Sequence, residues 1–196
     1  MPVIGVLSLQ GDFAEHVLML DTLEVNSMEI RSQESLQNID GLIIPGGEST
    51  SIMKLLELFD LKNSIISRAK NGMPIWGTCA GMIILSQNII HNEYQNKIHK
   101  YEPLKLIDID VTRNAFGRQI DSFEFDLDVD GLEDPYHSIF IRAPQVSRVG
   151  KNVEVLSSIT NTQPVILKQD NILVSSFHPE LTRDNRIHKL FIQMFS

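Results

Sequence analysis

Short apolar runs alternate with amphipathic segments in the first half of the chain. Runs over residues 3–9, 28–31, 41–45 and 75–76 predict strands, and most are near-continuously apolar, as in strands covered on both faces. Helices are predicted after the first and third runs and over residues 61–70, where Asn71-Gly72 ends the last of them. The residues at helical spacing in the first two helices are Phe13, Val17, Leu20, Ile52, Leu55, Leu56 and Phe59. This alternation predicts a mostly parallel central sheet with helices on both faces.

The second half of the chain has a different pattern, because strands follow one another without strong helices between them. The strands are predicted at residues 106–111, 122–127, 138–141, 153–158, 165–168 and 172–177. Asp170-Asn171 separates the last two and favours a tight hairpin. The helical spacing of Ile187, Leu190, Phe191 and Met194 predicts a final helix. Residues 91–102 are polar and are predicted to form a surface loop. We therefore expect an α/β fold with additional antiparallel strands, with residues 1–196 forming a single domain.

Composition narrows the class of protein. The 196 residues suffice for one core, and the net charge of −8 argues against nonspecific nucleic-acid binding, which needs a basic face. The single cysteine, Cys79, excludes an internal disulfide. The N-terminus has no basic signal region and no apolar run approaches the ~18 residues of a membrane span, so we expect a cytoplasmic location.

The segment Gly77-Thr78-Cys79-Ala80-Gly81 carries the strongest chemical signal. It lies between two apolar runs, which predicts a strand, a sharp turn and a helix with the cysteine at the apex. This is the thiol form of the nucleophile elbow, in which glycines prevent collisions with the neighbouring strand and helix. The sulfur is expected to point toward solvent at the positive end of the helix, which favours thiolate. The alternative is a buried cysteine that acts only as a small apolar residue.

A histidine and a glutamate follow the last predicted strand. His178 is placed to take the thiol proton, and Glu180 to hold the imidazole in the right tautomer. Functional groups gather beyond the carboxyl ends of strands in α/β sheets, so these residues are expected to meet Cys79 there. The order cysteine, histidine, acid differs from that of α/β-hydrolases and argues against an esterase.

The Gly46-Gly47 pair suggests an oxyanion hole, made by the N–H of Gly47 and the N–H of Ala80 behind the nucleophile. The alternative is an ordinary strand-to-helix turn with Ser49 or Thr50 as the helix N-cap.

The other histidines are interpreted without a catalytic role. His91 and His99 lie in the polar loop, His137 in a turn and His188 beside the apolar stripe of the last helix. His16 follows Glu15 on the first helix, and it is interpreted as exposed or as part of a partner surface. No spacing of His, Cys, Asp and Glu predicts a metal site, and no cofactor is implied.

Together these motifs resemble the class I (triad) glutamine amidotransferases, a flavodoxin-like α/β fold. Within that superfamily the chain is similar, essentially end to end, to the PdxT/SNO family, the glutaminase subunits of pyridoxal 5′-phosphate synthase. The matching motifs are Leu9-Gln-Gly11 with Glu15-His16, Pro45-Gly-Gly-Glu-Ser-Thr50, Gly77-Thr-Cys-Ala-Gly81, Arg113-Asn-Ala-Phe-Gly-Arg-Gln119, Asp121-Ser-Phe-Glu124, Phe140-Ile-Arg-Ala-Pro144 and Phe177-His-Pro-Glu-Leu-Thr182.

The resemblance implies that Cys79 attacks the side-chain amide of L-glutamine, with His178 as acid and base and Glu180 as its orienter. It implies glutamine contacts at Gly47, Glu48, Ser49, Arg113, Ile141 and Arg142. Ammonia would pass to a (β/α)8-barrel synthase subunit of PdxS/SNZ type, docked near the first helix and the Gln10 turn. That subunit would use the ammonia to make pyridoxal 5′-phosphate, and neither nucleic acid nor membrane would be a partner.

Two alternatives remain open. One is an amidotransferase subunit that serves a histidine, anthranilate or purine pathway, although residues 113–119 are not expected there. The other is an idle binding or regulatory subunit, against which the complete set Cys79, His178 and Glu180 argues.

Overall fold

The computed structural model describes residues 2–90, 101–113, 122–160 and 162–195. The strands in these ranges are β1 (Ile4–Leu7), β2 (Ser27–Ile30), β3 (Gly41–Ile44), β4 (Ile75–Thr78), β5 (Ser86–Ile90), β6 (Ile107–Thr112), β7 (Ser122–Leu127), β8 (Tyr136–Ile141), β9 (Gln145–Val149), β10 (Glu154–Ser158), β11 (Pro164–Gln169) and β12 (Ile172–Ser175). The α-helices are α1 (Phe13–Thr22), α2 (Gln33–Gln37), α3 (Ser49–Leu58), α4 (Leu61–Lys70), α5 (Ala80–Leu85) and α6 (Arg186–Ile192). Short 3-10 turns cover Pro179–Leu181 and Gln193–Phe195.

A seven-stranded sheet forms the centre of the described structure, in the order β10-β11-β12-β4-β3-β1-β2. The strands β12, β4, β3, β1 and β2 run parallel to one another, whereas β11 pairs antiparallel with both β10 and β12 at one edge. Two smaller sheets, β5-β6-β9 and the hairpin β7-β8, lie outside it. This confirms the predicted mostly parallel sheet with additional antiparallel strands in the second half.

Two apolar cores cover the two faces of the central sheet. Successive strand residues point to opposite faces, so Ile44 joins one core while Ile43 joins the other. The helices α2, α3, α4 and α5 pack on the first face and α1 and α6 on the second, where Trp76 lies fully buried. Burial on both faces explains why β1, β3 and β4 are almost continuously apolar.

Some elements differ from the prediction. The helix α2 and the strands β5 and β9 were not expected, and β8 begins at Tyr136, so the placement of His137 in a turn was wrong. Residues 91–100 of the predicted polar loop, with His91 and His99, lie outside the described residues, as do residues 114–121. The assignment of residues 1–196 to a single domain stays a prediction. None of the described helices combines the length and apolar character needed to cross a membrane.

Candidate active site

Cys79 occupies a sharp turn between β4 and α5. Its backbone angles, φ 48° and ψ −100°, lie outside the common regions for a residue with a side chain. A Cβ atom on Gly81 would lie 2.2 Å from the Ile44 carbonyl oxygen, and one on Gly77 would lie 2.5 Å from the Gly81 backbone. The predicted need for both glycines is therefore confirmed, and the turn has the strain expected of a nucleophile elbow.

The Cys79 thiol lines a cleft of about 440 Å³ at the carboxyl ends of the parallel strands. The residue is only 7% exposed, so its sulfur meets this cleft rather than open solvent. The backbone N–H of Cys79 donates to the Ser175 carbonyl oxygen (2.8 Å), and the thiol donates to that of Ile141 (3.8 Å). The first bond ties the elbow to the end of β12, from which His178 follows.

His178 and Glu180 lie together beside this cleft. The imidazole Nδ1 is 2.7 Å from Glu180 Oε1, and the His178 backbone N–H donates to the Ile139 carbonyl oxygen (2.9 Å). Because Nδ1 bonds the carboxylate, Nε2 is the ring nitrogen left to exchange a proton. Asp12 places a second carboxylate oxygen 3.5 Å from the same Nδ1.

Burial and hydrogen bonding act in opposite directions on His178. Burial by itself would lower its pKa, but interactions with the Cys79 thiol and the Glu180 carboxylate raise the pKa to about 10. Burial raises the pKa of Glu180, and the bond to His178 offsets part of that rise. A raised pKa makes the imidazole a better proton acceptor, so the arrangement favours transfer of the Cys79 thiol proton to His178.

The Gly46-Gly47 segment lies against His178 and the turn after β1. A Cβ atom on Gly46 would be 2.4 Å from the His178 ring, and Gly47 has a φ of +148°. Gln10 fixes the segment, because its side-chain oxygen accepts the Glu48 N–H (2.8 Å). Gly47 and Ala80 both line the cleft, and their role as an oxyanion hole stays a prediction.

The remaining predicted glutamine contacts also lie around the cleft, at Glu48, Ser49, Arg113, Ile141 and Arg142. Arg113 pairs with Glu48 (3.0 Å) and donates to Thr50 Oγ1 (3.0 Å). The Ser49 hydroxyl is buried and has no hydrogen-bond partner among the described residues. It is therefore a polar group that a ligand could satisfy.

Glu48 rather than Ser49 or Thr50 caps α3, so the N-cap suggested from the sequence was wrong. The Glu48 carboxylate accepts the backbone N–H groups of Thr50 (3.0 Å) and Ser51 (2.7 Å). Burial opposes ionisation, but hydrogen bonds from Ser51 and Thr50 outweigh it and lower the pKa of Glu48 to about 2.

The interpretation of His16 as an exposed residue was wrong. His16 is fully buried on the inner face of α1, and its Nδ1 lies 3.0 Å from Nε2 of His188, which is buried as well. Its Nε2 lies 3.3 Å from Thr78 Oγ1 and 3.4 Å from Glu180 Oε2. The sequence held a usable signal, because His16 is three residues after Phe13 and four before Leu20 and so shares their helix face.

One group in the described ranges has the spacing of metal ligands: single atoms of Asp12, His178 and Glu180 lie within 4.8 Å of one another. The same His178 and Glu180 atoms form the imidazole–carboxylate hydrogen bond. The group therefore overlaps the histidine–glutamate pair of the candidate site.

A parallel α/β sheet with a cysteine elbow beside a histidine–glutamate pair is the arrangement of class I glutamine amidotransferases. The chain belongs to the SNO glutamine amidotransferase family, whose model matches residues 6–196.

Similar proteins cover nearly the whole chain. The pyridoxal 5′-phosphate synthase subunit PdxT of Dehalococcoides mccartyi (strain CBDB1) is 52% identical over 97% of this chain and 96% of its own. PdxT of Thermosipho africanus (strain TCF52B) is 47% identical over 97% of each chain. A crystal structure described as a glutamine amidotransferase superposes with a TM-score of 0.89 at 43% identity over 97% of each chain.

Proposed function

We propose that this chain is the glutaminase subunit of a pyridoxal 5′-phosphate synthase, with Cys79 as nucleophile, His178 as acid and base and Glu180 as its orienter. One observation carries the proposal: Cys79 in the elbow after β4 and His178 after β12 border the same cleft, and His178 is hydrogen-bonded to Glu180. Membership of the glutamine amidotransferase family and the names of the PdxT relatives supply the substrate and the pathway.

The first half of the reaction forms a thioester. His178 takes the thiol proton, and the sulfur attacks the side-chain amide carbon of glutamine. The tetrahedral oxyanion is bound by the N–H groups of Gly47 and Ala80, each such donor contributing about 3–4 kcal/mol in the transition state. The intermediate collapses, the C–N bond breaks, and His178 returns the proton to the leaving nitrogen, which departs as ammonia.

The second half hydrolyses the thioester. His178 takes a proton from a water molecule, whose oxygen attacks the thioester carbon. The C–S bond breaks, glutamate leaves, and His178 returns the proton to the sulfur to restore the thiol. Throughout, the Glu180 carboxylate holds Nδ1–H and stabilises the imidazolium each time it forms.

Charged residues at the rim of the cleft supply the means to bind the amino-acid end of glutamine. An arginine fork at Arg113 or Arg142 suits the α-carboxylate, and the Glu48 carboxylate suits the α-ammonium. Because Arg113 pairs with Glu48, the two opposite charges already lie next to each other, as the two charged groups of an amino acid require. The unpaired Ser49 hydroxyl is a third polar contact in the same place.

The partner is a synthase subunit, for which the family resemblance suggests a (β/α)8 barrel that combines ammonia with a pentose phosphate and a triose phosphate. The first helix and the Gln10 turn are proposed to lie near the docking face. In support, Leu18 on α1 is 65% exposed, which is high for a large apolar side chain.

The test measures glutamine hydrolysis with and without the cognate synthase subunit. We expect hydrolysis to rise when that subunit is added. We expect Cys79→Ala to abolish it while the complex still makes pyridoxal 5′-phosphate from free ammonium. Wild-type protein should react with a glutamine-analogue electrophile at Cys79, and Cys79→Ala should not. Glutamine turnover by Cys79→Ala would contradict the nucleophile assignment, and no response to the synthase would contradict the pathway.

A further inference from the structure

Glu180 has one carboxylate oxygen that the proposed mechanism does not use. Oε1 binds His178, but Oε2 is buried and makes no hydrogen bond to the described residues. The polar nitrogen that faces it is Nε2 of His16, 3.4 Å away on α1. An unsatisfied buried carboxylate oxygen is costly, so a polar hydrogen aimed at it has a substantial effect on the position and charge of the group.

We infer that His16 is a positioning residue of the glutaminase reaction, whose neutral imidazole directs Nε2–H at Glu180 Oε2, and that His188 sets this tautomer. The inference rests on the proposed function, since it assigns a second donor to the carboxylate that orients His178. With both donors in place, each oxygen of Glu180 faces a histidine N–H.

The tautomers follow from the contacts of the pair. A single proton lies between His16 Nδ1 and His188 Nε2, which are 3.0 Å apart. If His16 held it, a lone pair on His16 Nε2 would face the Glu180 carboxylate. His188 would then carry its own proton on Nδ1, which is buried with no partner among the described residues.

The opposite arrangement removes both problems. His188 Nε2–H donates to His16 Nδ1, and His16 Nε2–H faces Glu180 Oε2 and Thr78 Oγ1. The unpaired atom is then an acceptor nitrogen of His188 rather than a buried N–H donor, which is the more tolerable of the two. In this arrangement His188 donates to His16, and the N–H of His16 points at Glu180.

Burial keeps both histidines neutral. It lowers the pKa of His16 well below the ordinary range, with the neighbouring His188 and His178 adding to the effect, and it lowers the pKa of His188 to about 3. The contact between His16 and Glu180 is therefore that of a neutral N–H with a carboxylate rather than an ion pair.

Other charged or titratable groups also act on Glu180. His178 stabilises its anion, while the Asp12 carboxylate disfavours it, and Tyr136 interacts with it electrostatically. A backbone hydrogen bond of Glu180 also favours the anion, so removing the His16 donor would affect Oε2, the oxygen without a hydrogen bond to the described residues.

A spectroscopic test of the inference needs no activity. Nitrogen-15 NMR of labelled imidazoles in the full chain distinguishes the two neutral tautomers, with signals assigned from single-histidine variants. We expect His16 and His188 both to be neutral with the proton on Nε2 at pH 7. A His16 proton on Nδ1, or a charged His16, would overturn the inference even if the protein hydrolyses glutamine.

A matched pair of variants tests the effect on catalysis in the complex with the synthase subunit. Glutamine at position 16 can place a side-chain N–H near the former Nε2, whereas asparagine reaches only the former Nδ1. We expect His16→Asn to lower kcat about ten- to a hundred-fold, with little change in KM because His16 does not line the cleft. His16→Gln should stay within about threefold of wild type.

The pH profile separates positioning from mere structural support. Without its second donor, the Glu180 carboxylate is harder to ionise, so the acid limb of kcat/KM should move to higher pH in His16→Asn and return in His16→Gln. Equal losses in both variants with an unshifted profile, or no loss in either, would overturn the inference. A wild-type complex that fails to hydrolyse glutamine would instead contradict the proposed function, and the tautomers would still test the inference.

Discussion

At the scale of single residues, the position of the Cys79 sulfur depends on the absence of a side chain at the neighbouring glycines. Gly81 allows the start of α5 to approach the end of β3, where the Ile44 carbonyl oxygen would lie 2.2 Å from an added Cβ. A backbone oxygen cannot rotate away as a flexible side chain can. The collision would have to be relieved by moving the elbow itself.

Gly81→Ala should therefore lower the free energy of unfolding by about 3 kcal/mol and reduce glutamine hydrolysis, because the elbow shifts. Urea unfolding followed by the fluorescence of Trp76, the single tryptophan, measures the first effect. Gly131→Ala is the control: Gly131 has a φ of +91°, and no atom of the described residues lies within 4 Å of its added Cβ. Gly131→Ala should lower the free energy of unfolding by about 1–2 kcal/mol, from backbone strain alone. Equal costs would show that no collision occurs at Gly81.

Residue identities in the elbow could be read from the sequence because the motif is local. Gly77 to Gly81 must fit between one strand and one helix that directly adjoin them. His16 could not be placed in this way, since its burial depends on β4, α6 and the turn after β12, which are distant in the chain. Only its helical spacing from Phe13 and Leu20 indicated which way the His16 side chain points.

At the scale of elements, α3 depends on an unusual N-cap. Glutamate is not among the preferred capping residues, yet the Glu48 carboxylate accepts two of the free N–H groups at the start of the helix. Gln10 positions the Glu48 backbone, so this cap also links the helix to the turn after β1. Sequence preference pointed to Ser49 or Thr50, because neither the Gln10 contact nor the Arg113 pair is visible from local spacing.

Glu48→Ala should lower the free energy of unfolding by about 1 kcal/mol at pH 7, as lost caps generally do, with solvent exposure of Glu48 limiting the effect. The folded-state pKa of Glu48 is lowered to about 2, so its contribution is present above the unfolded value near 4.5. It is lost as the pH falls through about 2. Urea unfolding at pH 7 and at low pH gives the difference, and a difference that persisted at pH 2 would contradict the role of the ionised cap.

The elements that the sequence did not reveal are short or weakly patterned. The helix α2 has five residues, fewer than periodicity can establish, and β9 buries one residue of its five. By contrast, α4 could be predicted correctly as residues 61–70, because the apolar spacing and the Asn71-Gly72 stop signal indicate the same helix. Tertiary pairing, rather than local pattern, stabilises β9 against β6.

At the scale of the whole molecule, the site exists because β12 lies next to β4. The parallel pairing places Ser175 opposite Thr78, so the residues after each strand emerge at one sheet edge. The sequence indicated that functional groups would gather at strand ends but not the strand order. That order rests on pairings between segments about a hundred residues apart, which no local pattern contains.

The two buried histidines also make the stability of the whole fold depend on pH. His188 has a pKa lowered to about 3 in the folded chain, against about 6.5 when unfolded. Between these values the unfolded chain binds a proton that the folded chain does not, so the free energy of unfolding falls as the pH falls. From pH 7.5 to pH 5, His188 alone should contribute a loss of about 2 kcal/mol.

His188→Leu should remove that loss, since leucine fills a buried site against Trp76 and binds no proton. Urea unfolding at pH 7.5 and at pH 5 should show the variant losing about 2 kcal/mol less than wild type over this interval. Each protein is compared with itself at the two pH values, so a packing change that is the same at both values cancels. The contributions of Glu180 and the exposed carboxylates are present in both proteins and cancel when the two differences are compared. The same pH dependence in both proteins would mean that His188 accepts a proton in the folded chain. His16 and His188 would then not both stay neutral in mild acid.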